Sequence, residues 1–177
     1  MVTLRDATES DSPAIARLHA ESWRSAYRGI LSDEYLDTRA HSERALLWRA
    51  RFSEKTCKPF FVILAEIGAQ LAGFACVFPN EHPIFGSFVD NLHVTPELKR
   101  KGIGGTLLAE VARRLVADQT RGGVYLWAIE KNSNARQFYS SLGAVEVGTE
   151  EFATPDGGKV REVRCYWPDP SKLLSRP

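Results

Sequence analysis

The sequence has almost no excess charge. Its 177 residues carry 23 Lys and Arg against 22 Asp and Glu, a formal net charge of +1. That balance gives no general electrostatic drive toward nucleic acid or an anionic membrane. Cysteine is scarce, with Cys57, Cys76 and Cys165 standing singly. The odd count argues against a disulfide framework, and no metal spacing is present. Cys76 and Cys165 lie in apolar runs and read as small buried hydrophobes. No apolar run is long enough to span a bilayer, and Met1–Val2–Thr3 does not open a charged-then-apolar leader. Repeats, low-complexity segments and an internal domain boundary are also missing. What remains is one domain large enough for a real core, cytoplasmic by default.

The stretch from Val94 to Leu108 organises the chain. Phe88, Leu92 and Val94 alternate with other residues, with Asp90 expected on the same face, which is a strand period. Pro96 stops that strand. Leu107, Leu108, Val111, Ala112, Leu115 and Val116 then form a helical stripe. Gly102, Gly104 and Gly105 therefore sit at a helix N-terminus, where unpaired N–H groups and the helix dipole favour an anion. Lys99, Arg100 and Lys101 add positive charge, and Ile103 and Thr106 complete the loop. This is a phosphate site. It is neither of two familiar loops: no Lys–Ser/Thr pair follows Gly105, and Leu107 stands where the dinucleotide fingerprint needs glycine.

The rest of the chain predicts alternating elements. Val2–Arg5 is a short strand, and Asp11, Ser12 and Pro13 start a helix. Ser32 caps a second helix start, and a third helical stretch runs from about Ser42 to Phe52. Phe60–Ala65 and Leu71–Phe78 form a hairpin, followed by a loop at Pro79–Pro83. Val124–Ile129 is a strand parallel to the Phe88–Val94 strand, since a helix joins them. Asn132 or Ser133 caps a short helix closed by Gly143. Two last strands pair across Pro155–Gly158, and the tail from Pro168 is expected to be loosely held.

Two motifs resemble one family. Lys99–x–x–Gly102–x–Gly104 is similar to the Gln/Arg–x–x–Gly–x–Gly/Ala loop of the GNAT superfamily of N-acetyltransferases, with Lys99 at the first position. Asn132–x–x–Ala135–x–x–Phe138–Tyr139–x–x–x–Gly143–Ala144 resembles its Asn–x–x–Ala–x–x–(Phe/Leu)–Tyr–x–x–x–Gly–Phe segment, with Ala144 for Phe. The order of elements matches across nearly the whole chain. The resemblance implies an α/β (α+β mixed sheet) single domain over 1–168 with a tail at 169–177. It implies about seven strands, a splayed central parallel pair and four or five helices.

It also implies the cosubstrate acetyl-coenzyme A and no metal. Coenzyme contacts then fall on Leu92, His93 and Val94 of the strand, on Lys99–Thr106, and on Asn132, Ala135, Arg136 and Tyr139. The slot-side backbone of Leu92 and Val94 would pair with the pantetheine arm. Tyr139 is the general acid at the sulfur in this reading, or else an aromatic core residue. Asp90 is the base, or else a carboxylate paired with a nearby cation. Trp23 and Tyr27, at i and i+4, with Arg28, His82 and Asp90, would line the acceptor side, or else at least one of Trp23 and Tyr27 packs in the core and His82 is a solvated loop residue. The implied activity is acetyl transfer to a small amine or to a peptide N-terminus or lysine. The alternative is a non-catalytic acyl-coenzyme A sensor. Nucleic acid and membrane are not expected partners, and a homodimer is compatible with the sequence.

Overall fold

The computed structural model describes residues 1–53 and 58–174. One seven-stranded mixed sheet runs β1 (Val2–Asp6), β2 (Phe61–Ile67), β3 (Gln70–His82), β4 (Gly86–Val94), β5 (Val124–Ile129), β7 (Lys159–Trp167) and β6 (Val145–Ala153) in spatial order. Only β4 and β5 are parallel. Helices α1 (Ser12–Ala26) and α2 (Ala40–Ser53) cover one face, and α3 (Ile103–Ala117) and α4 (Ser133–Ser141) cover the other.

Strand periodicity sorts the core. Val62, Leu64, Phe74 and Cys76 pack on Ile15, Leu18 and Trp48 of the first face. Ile63, Ala75, Val77, Leu126 and Cys165 pack on Leu107, Leu108, Val111 and Leu115 of α3. Both strands β2 and β3 are apolar on each side because helices cover each side. The buried cysteines Cys76 and Cys165 match the expectation, whereas Cys57 lies outside the described residues.

Several boundaries differ from the sequence reading. The second and third helical stretches are one run, in which a wide π-type turn at Tyr35–Arg39 leads directly into α2. Ser32 Oγ does accept the Tyr35 N–H, at 3.3 Å. Strand β3 continues through the expected loop to His82, with its register broken between Phe78 and His82 where Pro79 cannot donate. The tail is docked as far as Leu174: Pro170–Leu173 forms a short turn that buries Leu173 against α3.

Candidate active site

Strands β4 and β5 share a ladder at two positions only, Ser87↔Val124 and Phe88↔Tyr125. That end of the pair is tight. Gly86 has φ 79, and a Cβ there would stand 2.3 Å from the Gly123 carbonyl. Beyond Phe88 the strands part. Asp90 is an extra residue against β3, between the pairs Val77↔Val89 and Cys76↔Asn91. Such a bulge bends the strand and shifts its side-chain parity by one. Val89, Leu92 and Val94 therefore share the α3 face, while Phe88, Asp90 and His93 do not. The expected placement of Asp90 beside Leu92 is thus corrected.

The parting opens a cleft of about 770 Å³ through the sheet. Its β4 wall is backbone. The Thr95 N–H donates to Ala72 O of β3 at 2.9 Å. Alternation along the strand then turns the N–H and C=O groups of Val94 and Leu92 toward β5, where no strand meets them. At the open end lies the start of α3. Gly102 caps it at φ 81, and the first helical bond is Thr106 N–H to Gly102 O at 3.0 Å. The N–H groups of Ile103, Gly104 and Gly105 thus have no helical partner. Side chains added at Gly102 or Gly105 would meet open space, which leaves room for a ligand there.

Lys99, Arg100, Gly102, Ile103 and Gly104 line the cleft, and Lys99 Nζ also reaches Ser25 Oγ at 3.5 Å. Lys101 is exposed and stands outside the lining with Gly105 and Thr106. The N–H and hydroxyl of Thr106 are both turned to Gly102 O. Asn132 Oδ1 accepts the Ala135 N–H at 3.3 Å, and both residues line the cleft. Arg136 does not. Its guanidinium is drawn outward by Glu146 at 2.7 and 2.8 Å and by Glu130 O at 3.1 Å.

Tyr139 and Tyr27 both line the cleft. Tyr139 comes from α4, edge-on to Trp167, and its hydroxyl bonds no other described residue. Burial raises its pKa, with Tyr27 and Cys165 adding, so the phenol stays protonated. Tyr27 ends α1. Its pKa is pushed up to about 12, mainly by burial and then by the charge of Glu162. The His93 ring meets Ser22 Oγ at 3.0 Å, and enclosure by the protein, with Lys99 and Arg44, holds it down to about 3. It is too weakly basic to keep an amine proton.

The remaining residues expected on the acceptor side are engaged elsewhere. Asp90 Oδ2 lies 2.6 Å from Arg51 Nη1, an ion pair without an aligned hydrogen bond. Trp23 is held among Tyr27, Tyr35 and the Arg44 guanidinium, 4.4 Å over its ring. Arg28 pairs with Asp33 and Asp37 at the surface. His82 sits at the β3–β4 turn, where Nδ1 accepts from the Ile84 and Phe85 N–H groups. Of these acceptor residues only Tyr27 lines the cleft.

Two residues escaped the sequence reading. Glu162 and Arg164 of β7 lie across from Ile129 and Trp127, both of which line the cleft. In sequence they alternate with Val163 and Cys165 and look like an ordinary wet strand face. Only the fold brings the rings of Phe85 and Trp127 against that face. Among the described residues, no group of His, Cys, Asp and Glu is placed to hold a metal ion.

The description of the acetyltransferase (GNAT) family matches residues 15–144. The uncharacterized N-acetyltransferase YuaI of Bacillus subtilis (strain 168) is 31% identical over 175 residues, 98% of this chain and 96% of its own. The PaiA N-acetyltransferase of Thermoplasma acidophilum, solved with coenzyme A, aligns at TM-score 0.66 and 23% identity, covering 92% of this chain and 98% of that one. YncA of Salmonella typhimurium, solved with acetyl-CoA, aligns at TM-score 0.67 and 16% identity over 100% of this chain and 96% of that one. With a split parallel pair, an anion-ready helix start beside it and this family match over most of its length, the chain belongs to the acetyltransferase (GNAT) family.

Proposed function

We propose that this acyltransferase moves an acetyl group from acetyl-coenzyme A to a primary amine by direct transfer in a ternary complex. One observation carries the reading: a cleft through the sheet is lined both by a helix start with free backbone amides and by a protonated phenol. Coenzyme A supplies an activated thioester. The amides of Ile103, Gly104 and Gly105 suit its pyrophosphate, aided by Lys99 and Arg100. The slot-side backbone of Leu92 and Val94 suits an amide-bearing arm, and the N–H near Val94 suits negative charge on the acyl oxygen. Tyr139 suits proton delivery to sulfur. Cys76 and Cys165 are buried, with thiol pKa values raised by burial, which favours direct transfer over a cysteine-bound acyl group.

The test is release of free thiol from acetyl-coenzyme A in the presence of a panel of primary amines. Amine-dependent release, with N-acetyl product seen by mass spectrometry, supports the reading. Tight coenzyme binding with no release from any amine would instead favour a sensor on the same fold.

A further inference from the structure

Two charged side chains beside the cleft, outside its lining but in register with Ile129 and Trp127, have no counter-charge within ion-pair distance among the described residues. Glu162 and Arg164 are two residues apart on β7. Their neighbours Val163 and Cys165 are buried, Cys165 in the core cluster with α3, so alternation puts both polar chains on the opposite face. Glu162 lies next to Ile129 and close enough to Tyr27 to raise its pKa. Arg164 spreads over the rings of Phe85 at 4.0 Å and Trp127 at 4.4 Å. Its Nε is buried without a hydrogen-bond partner. Among the described residues neither group makes an ion pair, although both are half-buried.

The surroundings sharpen this. Of the other cations on that side, Arg51 lies against Asp90, and Arg44 lies 4.0 Å from Glu43 and over the Trp23 ring. The register neighbour of Glu162 on β6 is another acid, Glu150. Burial, then Glu150, pushes Glu162 up to about 7. Half-buried charges without partners are unfavourable unless something else supplies the partner. Arg164 offers a planar fork on an aromatic shelf, which fits a carboxylate. Glu162 offers a carboxylate that fits an ammonium. Residues i and i+2 on a strand are roughly 7 Å apart, a span that a short carbon skeleton bearing both groups can bridge.

Building on the acetyltransferase reading, we propose that the acceptor is a compact amino-carboxylate, its amine received at Glu162 and its carboxylate at Arg164. Glu162 takes one proton from the ammonium. The freed lone pair forms the N–C bond to the acyl carbon while the C–S bond breaks. The sulfur keeps that electron pair and takes the Tyr139 proton. The second amine proton, released as the amide forms, returns to Tyr139, and Glu162 gives its proton to solvent. A peptide N-terminus carries no carboxylate at this distance and is a poor fit.

The experiment compares free amino acids with their decarboxylated amines, such as leucine with 3-methylbutylamine and phenylalanine with 2-phenylethylamine. Leucine amide serves as a third member. Wild-type protein should favour the carboxylate-bearing member by about 100-fold in kcat/KM, the scale of losing a charged bidentate contact. Arg164→Gln should abolish that preference by raising the amino-acid KM, and Arg164→Lys should restore part of it. Coenzyme affinity, read by calorimetry in each variant, should stay within about twofold and reports intact folding. Equal use of paired acceptors would overturn the proposal, as would equal loss on both in Arg164→Gln. So would intact turnover of other amines with none of these acids acetylated. Failure of acetyl-coenzyme A to bind at all would remove the acetyltransferase reading as well.

Discussion

The two mouths of the cleft are built from different materials. The coenzyme mouth is mostly main chain: the unpaired edge of β4 and the first turn of α3. The opposite mouth is mostly side chain: Tyr27 at the end of α1 and Trp127 of β5 line it, and Glu162 and Arg164 of β7 are the register partners of Ile129 and Trp127. A main-chain site is set by where glycines and helix starts fall, so it tolerates varied side chains around it. A side-chain site depends on which residues three separate elements bring together. The difference teaches that one mouth serves a fixed partner and the other is free to vary.

Four measurements would break or sharpen that contrast. The largest effect should come where the mouths meet. Tyr139→Phe removes the proton donor but keeps the ring beside Trp167, so kcat should fall by about 100-fold while coenzyme affinity changes little. Steady-state kinetics with calorimetry separates the two, and an unchanged kcat would sink the acid assignment.

Next is the coenzyme mouth. Gly102 stands at φ 81, which a β-branched residue resists. Gly102→Val should weaken coenzyme binding by about 30-fold, equivalent to roughly 2 kcal/mol of backbone strain. Titration with coenzyme A checks this, and near-normal affinity would show that the loop is not the clamp.

The third concerns pH at the acceptor mouth, where Glu162 faces Tyr27 from α1, Glu150 from β6 and Arg164 on its own strand. Glu162 is raised to about 7, so it is protonated and unable to accept below that value. Acceptor kcat/KM should therefore rise by about tenfold per pH unit toward 7 and level off above it. Glu162→Gln should flatten that limb. A limb that persists in this variant would assign the titration to another group. Coenzyme affinity should not follow the same curve.

The smallest effect belongs to Arg136. Because Glu146 and Glu130 O hold it away from the cleft, Arg136→Ala should alter coenzyme affinity by less than about twofold. A tenfold loss would mean that the side chain swings inward when coenzyme binds.

Legibility followed the same divide. The loop from Lys99 to Gly104 and the cap at Asn132 are local patterns, and each falls where its spacing implies. Asp90 was misplaced because one inserted residue reverses strand parity, and a bulge leaves no composition signal. Arg28 and Arg136 look like ligand-binding cations in sequence. Their true partners, Asp33, Asp37 and Glu146, are fixed by how loops and strands fold back.

By itself the sequence determined the element order, the parallel pair joined through α3, the glycine helix start and the short helix capped at Asn132. Each follows from short-range rules: periodicity of two or 3.6, helix capping, and the need of a parallel crossover for a helix. The tertiary structure alone decided how far β4 and β5 part, which face Asp90 takes, and that Glu162 and Arg164 stand enclosed. Those outcomes depend on a bulge, on a tight glycine vertex and on the rings of Phe85 and Trp127 meeting Arg164. No run of neighbouring residues encodes them, because the contacts join positions far apart in the chain.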